Sequence, residues 1–178
     1  DNTLAQYETT GQEIVNTLPE EIGGIVSGIG TGGTLMGIGK KLKKVDKNIL
    51  VTAIEPAKMP LISKNKIIAQ HKIEGIGDEF IPALVDKNVL DKVILVDDDD
   101  SINMSRKLAK ELGLGVGISS GANFLGCVML QKEMQRPVVT VFADDNKKYL
   151  STDLGKNIDT NDKFISNQLE LINYEVCK

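Results

Sequence analysis

A cluster of glycines and threonines near the start of the chain has the composition of an anion-binding turn. It occupies residues 28–34, reads GIGTGGT, and lies between a short apolar run and a segment with helical periodicity. Glycines let backbone N–H groups approach an anion closely, and the N-terminus of the following helix adds partial positive charge. Thr31 and Thr34 add hydroxyl donors. The pattern favours a phosphate-binding turn over a purely structural one.

The same glycines leave open which phosphate would bind. Gly28, Gly30 and Gly33 satisfy the G-x-G-x-x-G pattern, and Glu55 ends the next apolar run, where a Rossmann domain has its ribose-binding acid. A dinucleotide-binding domain of the Rossmann type is therefore an alternative. Glu55 also has a simpler interpretation as a strand-end residue before Pro56.

Other polar residues each have a structural and a functional interpretation. Ser119 and Ser120 precede a predicted helix and could cap it or face a ligand. The acidic run at residues 97–100 also precedes a helix, where acids are favourable; no EF-hand spacing follows it. His71 is the single histidine, so a Ser-His-Asp triad or a histidine metal site is poorly supported. We expect His71 at the surface.

Apolar strands alternate with helical segments along the chain. The strands are predicted at residues 24–28, 49–54, 93–96, 115–118 and 138–142, and the helices at residues 10–18, 34–42, 101–112 and 119–135. Most strands are continuous apolar runs, which is typical of parallel strands buried on both faces. The fold class predicted is α/β, with a mostly parallel sheet and helices on both faces. Ligands bind such sheets beyond the carboxyl ends of the strands.

Six motifs in a fixed order resemble one enzyme family. They are Thr9-Thr10-Gly11-Gln12-Glu13-Ile14, GIGTGGT at residues 28–34, Glu55-Pro56, Gly75-Ile76-Gly77, Gly117-Ile118-Ser119-Ser120-Gly121-Ala122, and Tyr149-Leu150-Ser151-Thr152. Over residues 7–153 the chain resembles cysteine synthase (O-acetylserine sulfhydrylase) and its relatives, the fold-type-II enzymes that use pyridoxal 5'-phosphate. The resemblance implies a C-terminal cofactor-binding domain at residues 1–153 and leaves a polar tail at residues 154–178 unassigned.

The resemblance also implies roles for individual residues. The phosphate of the cofactor would be held by Gly30, Thr31, Gly32, Gly33 and Thr34, and its pyridine nitrogen would face Ser119. Gly75, Ile76 and Gly77 would lie on the substrate side of the ring. The family's Schiff-base lysine stands in a Lys-Asp-Arg context that this sequence does not contain. We therefore assign no catalytic residue, and expect this chain to be a C-terminal fragment that is inactive by itself.

The activity implied by the resemblance is a β-replacement that forms L-cysteine from O-acetylserine and sulfide. A cystathionine β-synthase-like replacement and the Rossmann alternative stay open. The family is typically homodimeric, and its active site can receive the C-terminus of serine acetyltransferase; both are expectations from the resemblance.

Composition and charge limit the remaining classes. The chain has 178 residues, 41% of them hydrophobic and 26% charged, with a net charge of −4. These values predict a soluble, globular protein without nucleic-acid or membrane partners, and the two cysteines, if reduced, predict a cytoplasmic one. Cys127 and Cys177 lack metal-ligand spacing and are expected to be reduced thiols, so no metal is predicted.

Overall fold

A computed structural model describes residues 2–18, 21–156 and 161–176. Its centre is a four-stranded parallel sheet in the order β3-β2-β1-β4. The strands are β1 (Gly24–Gly28), β2 (Leu50–Pro56), β3 (Lys92–Val96) and β4 (Val138–Thr140). The helices are α1 (Asn2–Glu8), α2 (Thr10–Thr17), α3 (Gly33–Val45), α4 (Leu61–Lys64), α5 (Asp98–Leu112) and α6 (Ile118–Met134), and short 3-10 turns follow at Lys147–Tyr149, Asp153–Gly155 and Ser166–Gln168.

Both faces of the sheet are covered by helices, as predicted. Ile25 belongs to an apolar cluster with Leu35 and Leu42 of α3, whereas Val26 belongs to a second cluster with Leu108 of α5 and Leu125 of α6. Successive residues of one strand thus enter opposite cores, because strand side chains alternate between the two faces. The α/β fold with a parallel sheet is confirmed.

Local signals explain where α5 begins and ends. Asp97 accepts hydrogen bonds from the backbone N–H groups of Asp99 and Asp100, as an N-cap residue does. Gly113 ends the helix with a φ of +70°, a conformation that glycine adopts readily. The interpretation of the acidic run as a helix N-terminus is confirmed.

Two predictions about secondary structure were wrong. The predicted strand at residues 115–118 is a single antiparallel bridge between Val116 and Asp145, and Ile118 already belongs to α6. The carbonyl of Val116 instead accepts a hydrogen bond from Ser105 of α5. Helix α1 was not predicted, since its sequence is mostly polar; it packs on α3, where a Cβ on Gly37 would lie 2.5 Å from the carbonyl oxygen of Thr3.

The polar tail is attached to the domain through a buried carboxylate. Asp100 is 5% exposed and accepts hydrogen bonds from the backbone N–H of Ile165, at 2.8 Å, and from the N–H and hydroxyl of Ser166. Ile165 and Leu169 also pack against the core on the α5 and α6 side. Residues 161–169 therefore lie on the surface of this core.

We expect Asp100→Ala to weaken this attachment. The substitution leaves the donors of Ile165 and Ser166 without their acceptor, so the free energy of unfolding should fall by about 2 kcal/mol, and trypsin should cleave faster after Lys163. Denaturant unfolding and limited proteolysis measure the two effects. Glu111→Ala, which removes only the exposed helical ion pair to Lys107, is the control and should cost less than about 0.5 kcal/mol. Equal proteolysis of the two variants would contradict the attachment.

We also expect Cys127 to be unreactive in the folded protein. Its side chain is buried, and burial raises the pKa of the thiol to about 12. Because the thiolate is the reactive species, the thiol should resist iodoacetamide at pH 8 and react after denaturation. Mass spectrometry of a Cys177→Ser variant isolates this thiol, since the sequence contains two cysteines. Rapid alkylation of the native variant would show that Cys127 is accessible.

Candidate functional site

The glycine turn, residues 28–34, connects the carboxyl end of β1 to the N-terminus of α3. Gly32 immediately precedes α3 and has a φ of +90°, which side chains rarely allow. Within the described part of the chain, the N–H groups of Gly30, Thr31, Gly32 and Thr34 have no hydrogen-bond acceptor. The turn thus carries several unsatisfied donors beside a helix N-terminus, which suits an anion.

A second segment, the overlying loop at residues 73–77, packs directly on this turn. A Cβ on Gly28 would lie 2.5 Å from Ile76, and one on Gly30 would lie 2.7 Å from the carbonyl oxygen of Gly75. The N–H of Gly77 donates to the carbonyl of Ile29 at 3.1 Å. Only residues without side chains permit this approach at Gly28 and Gly30.

His71, which was expected at the surface, is partly exposed and also holds the overlying loop in place. Its Nε2 donates to the carbonyl of Gly77 at 2.8 Å, and its Nδ1 accepts from the N–H of Ile73 at 3.3 Å. The ring is half-buried. Both nitrogens are engaged in positioning the loop, which agrees with the view that this histidine is no triad member or metal ligand.

The two serines at the start of α6 do not cap the helix. The N-cap position is Gly117, and no side chain there caps the helix. Ser119 is 8% exposed, and Ser120 is fully buried with a hydroxyl that has no partner among the described residues. The functional interpretation of Ser119 therefore gains support, because capping does not account for it.

Asn123 is a site residue that the sequence analysis missed. Its side-chain oxygen accepts from the N–H of Gly28 at 2.8 Å, and its amide donates to the carbonyl of Val141 at 2.8 Å. It thereby joins the end of β1 to the segment after β4. Asn123 follows Ser119 by four residues, so both lie on one face of α6. This four-residue spacing is the feature of the sequence from which Asn123 could have been predicted as a site residue.

Asp144 brings a carboxylate to the start of α6. Its Oδ2 accepts from the hydroxyl of Tyr149 at 2.6 Å and pairs with Lys148 at 2.7 Å, while its buried Oδ1 lies against Gly117 and has no partner among the described residues. Burial and the adjacent carboxylate raise the pKa of Tyr149, so the phenol stays protonated and donates. Tyr149 and Lys148 thus fix the carboxylate of Asp144 at the site.

These elements surround a cavity of about 260 Å³. It is lined by most of the predicted site residues, namely Gly30, Thr31, Gly32, Thr34, Gly75, Ile76 and Ser119. Gly33 and Gly77 lie outside its wall; Gly33 packs against Asn2 of α1, and Gly77 packs against Pro56. The wall also includes Asn123, Asp144 and Glu74, and no lysine is among the described residues that form it.

Glu55 does not serve as a ribose-binding acid. Its side chain is 3% exposed, and its carboxylate accepts from the N–H groups of Ile62 and Ser63 and from the Ser63 hydroxyl. The hydrogen bonds that this carboxylate accepts all come from α4, and none of them comes from the glycine turn. The interpretation of Glu55 as a structural residue at the end of β2 is the one that the contacts support.

The cavity fits the chemical parts of pyridoxal phosphate. Unpaired N–H groups and the threonine hydroxyls suit a phosphate. Gly30 has no Cβ, which would otherwise fill the narrow space between the glycine turn and the overlying loop. The Ser119 hydroxyl offers a neutral partner for a ring nitrogen. No group of three potential metal ligands occurs in the described ranges 2–18, 21–156 and 161–176, and no helix in them is long and apolar enough to cross a membrane.

We expect Gly30→Ala to weaken anion binding at the turn. The new Cβ would meet the Gly75 carbonyl oxygen at 2.7 Å, so either the turn or the overlying loop must move. Overpacking of this kind costs about 1–3 kcal/mol, which corresponds to a loss of about five- to 150-fold in affinity. Calorimetric titration with inorganic phosphate and with pyridoxal phosphate measures the effect.

Gly115→Ala is the matched control for Gly30→Ala. The atoms nearest to its Cβ would be those of the flexible Asn146 side chain, and Gly115 is absent from the cavity wall. Thr34→Val provides a second test that removes one hydroxyl without adding bulk. Unchanged affinity in both Gly30→Ala and Thr34→Val would show that the anion does not bind at this turn.

Comparison with known proteins agrees with the geometry of this site. The family model described as "Pyridoxal-phosphate dependent enzyme" matches residues 1–144. The chain is 44% identical to cysteine synthase B of Campylobacter jejuni and 41% identical to cysteine synthase of Staphylococcus aureus, over 86% and 82% of its residues. It covers 51% and 48% of those proteins, so the chain spans about half the length of these relatives.

Solved structures give the same result. The hydrogen sulfide-producing enzyme Fn1055 from Fusobacterium nucleatum superposes with a TM-score of 0.88 and 51% identity, over 93% of this chain and 51% of that one. O-acetylserine sulfhydrylase isoform 3 from Entamoeba histolytica superposes with a TM-score of 0.84 and 34% identity, over 94% and 49%. Because the family model matches residues 1–144 of the 178, the chain belongs to the pyridoxal-phosphate dependent enzyme family.

Proposed function

We propose that this chain is the cofactor-binding part of an enzyme that forms L-cysteine from O-acetylserine and sulfide by β-replacement. The observation that carries the proposal is the cavity in which the glycine turn, Ser119 and the overlying loop meet. Relatives named cysteine synthase support the reaction class. Pyridoxal phosphate, when bound, supplies the electron sink that labilises bonds at the α- and β-carbons of an amino acid.

The glycine turn would bind the phosphate of the cofactor. Its free N–H groups and the N-terminus of α3 supply donors and partial positive charge without a lysine or arginine on the described wall. Asn123 accepts the N–H of Gly28 and so fixes the first residue of the turn. The turn is therefore pre-organised, and little conformational freedom is lost on binding.

Ser119 would face the ring nitrogen. A hydroxyl is neutral, so it does not stabilise a protonated pyridinium as a carboxylate would, and the ring remains a weaker electron sink. That electronic state suits elimination and replacement at the β-carbon. The one nearby carboxylate at this end of the wall, Asp144, is bound by Tyr149 and Lys148.

The overlying loop would form the substrate side of the cleft. Gly75 and Ile76 line the cavity, and Gly77 anchors the loop to Ile29. Because the overlying loop contacts the glycine turn, it limits the space for water above the proposed phosphate site. This arrangement would orient the amino-acid substrate against a fixed surface.

The described cavity wall contains no lysine. The base that removes the α-proton would therefore come from outside this wall. We propose that the 178-residue chain alone binds phosphate-bearing ligands weakly and forms no covalent adduct with the cofactor at this cavity. In the complete protein we propose a homodimer in which the C-terminus of serine acetyltransferase can enter the cleft. The substrates are small molecules, and the proposed compartment is the cytoplasm.

A second candidate reaction is release of hydrogen sulfide. The 51% identity to an enzyme described as hydrogen sulfide-producing is the observation in its favour. A cystathionine β-synthase-like replacement is a third, supported by 36% identity to cystathionine beta-synthase of Apis mellifera over 84% of this chain. All three share elimination at the β-carbon and differ in the leaving group and the nucleophile.

We expect the complete native gene product to be yellow and to convert O-acetylserine and sulfide to cysteine. Visible spectroscopy and product analysis by mass spectrometry test this, with cysteine alone and with serine plus homocysteine as competing substrate sets. Borohydride reduction followed by peptide mapping should label one lysine in the complete protein and none in the 178-residue chain. A colourless protein that binds NAD would refute the proposal, and stoichiometric labelling of the short chain would refute the assignment of the missing base.

A further inference from the structure

Glu74 is the first residue of the tight turn in the overlying loop, and it lines the cavity. The residues on either side of it are fixed. Ile73 is fully buried and donates its N–H to His71, while Ile76 is 8% exposed and packs on Gly28. The backbone therefore places Glu74 beside the cavity, and its side chain is exposed to solvent there.

The charge of Glu74 is not balanced within the described part of the chain, where its carboxylate has neither a hydrogen bond nor an ion pair. The nearest lysine in sequence, Lys72, pairs with Asp99 and Asp153, both at 2.9 Å. Asp144, the other acid on the wall, is paired with Lys148. Apart from these two acids, the described wall residues are uncharged.

An unpaired carboxylate at the mouth of a cleft attracts the cations and repels the anions that enter or leave it. It raises the local concentration of cations and lowers that of anions, and partly enclosed walls strengthen the effect. Hydrosulfide is a small anion, and it is the nucleophile of cysteine synthesis and the leaving group of its reversal. The position of Glu74 therefore opposes capture of hydrosulfide and favours its departure.

We propose that Glu74 is a specificity-determining residue that biases this site toward the release of hydrosulfide from a thiol amino acid and against its capture. The inference rests on the proposed chemistry at the β-carbon, and within it Glu74 favours the second candidate reaction, release of hydrogen sulfide, over cysteine formation. In the release, the carbon–sulfur bond of cysteine breaks and sulfur leaves with the bonding pair as hydrosulfide. The α-proton passes to the base outside the described wall, and a double bond forms between the α- and β-carbons.

The test is Glu74→Gln in the complete native gene product. This substitution keeps the size of the side chain and removes its charge. We expect the KM for sulfide in cysteine formation to fall about three- to fivefold, the size of one unit-charge interaction over a few ångströms in largely aqueous surroundings, with kcat for cysteine formation nearly unchanged. The rate of sulfide release from cysteine should fall by a similar factor.

Two further readouts separate a charge effect from a structural one. In the wild type, kcat/KM for sulfide should rise with salt, because ions screen the repulsion, and in Glu74→Gln this dependence should flatten. Titration with thiocyanate, followed by the visible spectrum of the bound cofactor without turnover, should show about three- to fivefold tighter binding to Glu74→Gln. Glu74→Asp should restore the wild-type salt dependence.

Glu170→Gln is the matched control. Glu170 is exposed, lies outside the cavity wall, and loses the same charge in the variant. It should behave as the wild type in every assay. If Glu74→Gln matches Glu170→Gln in its KM for sulfide and in its salt dependence, the inference is wrong. If the wild type neither makes cysteine nor releases sulfide, the proposed function fails instead, and the two outcomes are distinguishable.

Discussion

The site depends on the close approach of two backbones at the carboxyl end of β1. Gly28 and Gly30 have no side chains, so the overlying loop packs on the glycine turn at distances that a Cβ would prevent. Ile76 can then enter the core on the α5 and α6 side. The loop covers one side of the turn and leaves the N–H groups before α3 facing the cavity. The absence of side chains at Gly28 and Gly30 thus connects the hydrophobic core, the glycine turn and the substrate side of the cavity.

The rest of the cavity is fixed by hydrogen bonds that point away from it. Asn123 connects β1 to the segment after β4, His71 connects the two ends of the overlying loop, and Tyr149 holds Asp144. Each of these side chains is satisfied by the protein. The cavity wall, by contrast, includes residues with groups that are unpaired within the described part of the chain, namely the N–H groups of the glycine turn and the Ser119 hydroxyl. This is the arrangement expected of a pre-organised binding site.

Buried or half-buried carboxylates attach the irregular segments to the sheet. Glu55 binds the start of α4, Asp98 accepts from the N–H of Lys72, and Asp100 binds residues 165–166. Asp91 accepts from the N–H of Val51 at the start of β2. These acids satisfy backbone N–H groups that find no partner within a helix or between strands. Glu74 differs from them, because it lies at the cavity and binds none of the described segments.

The sequence by itself determined the elements whose signals are local. The apolar runs of β1 and β2, the helical periodicity of α5 and α6, and the glycine spacing after β1 each depend on neighbouring residues, and all were predicted close to their positions. The parallel sheet and the cluster of site residues at its carboxyl edge followed from their order. Tertiary structure alone decided the rest. Helix α1 can pack on α3 because Gly37 has no side chain, so the backbone of α1 can approach it closely. Residues 115–118 fail to form a strand because no neighbouring strand pairs with them. The roles of Glu55, His71 and Asn123 depend on partners that distant segments or a folded loop bring near, and residue type and spacing do not encode which donors those partners will offer.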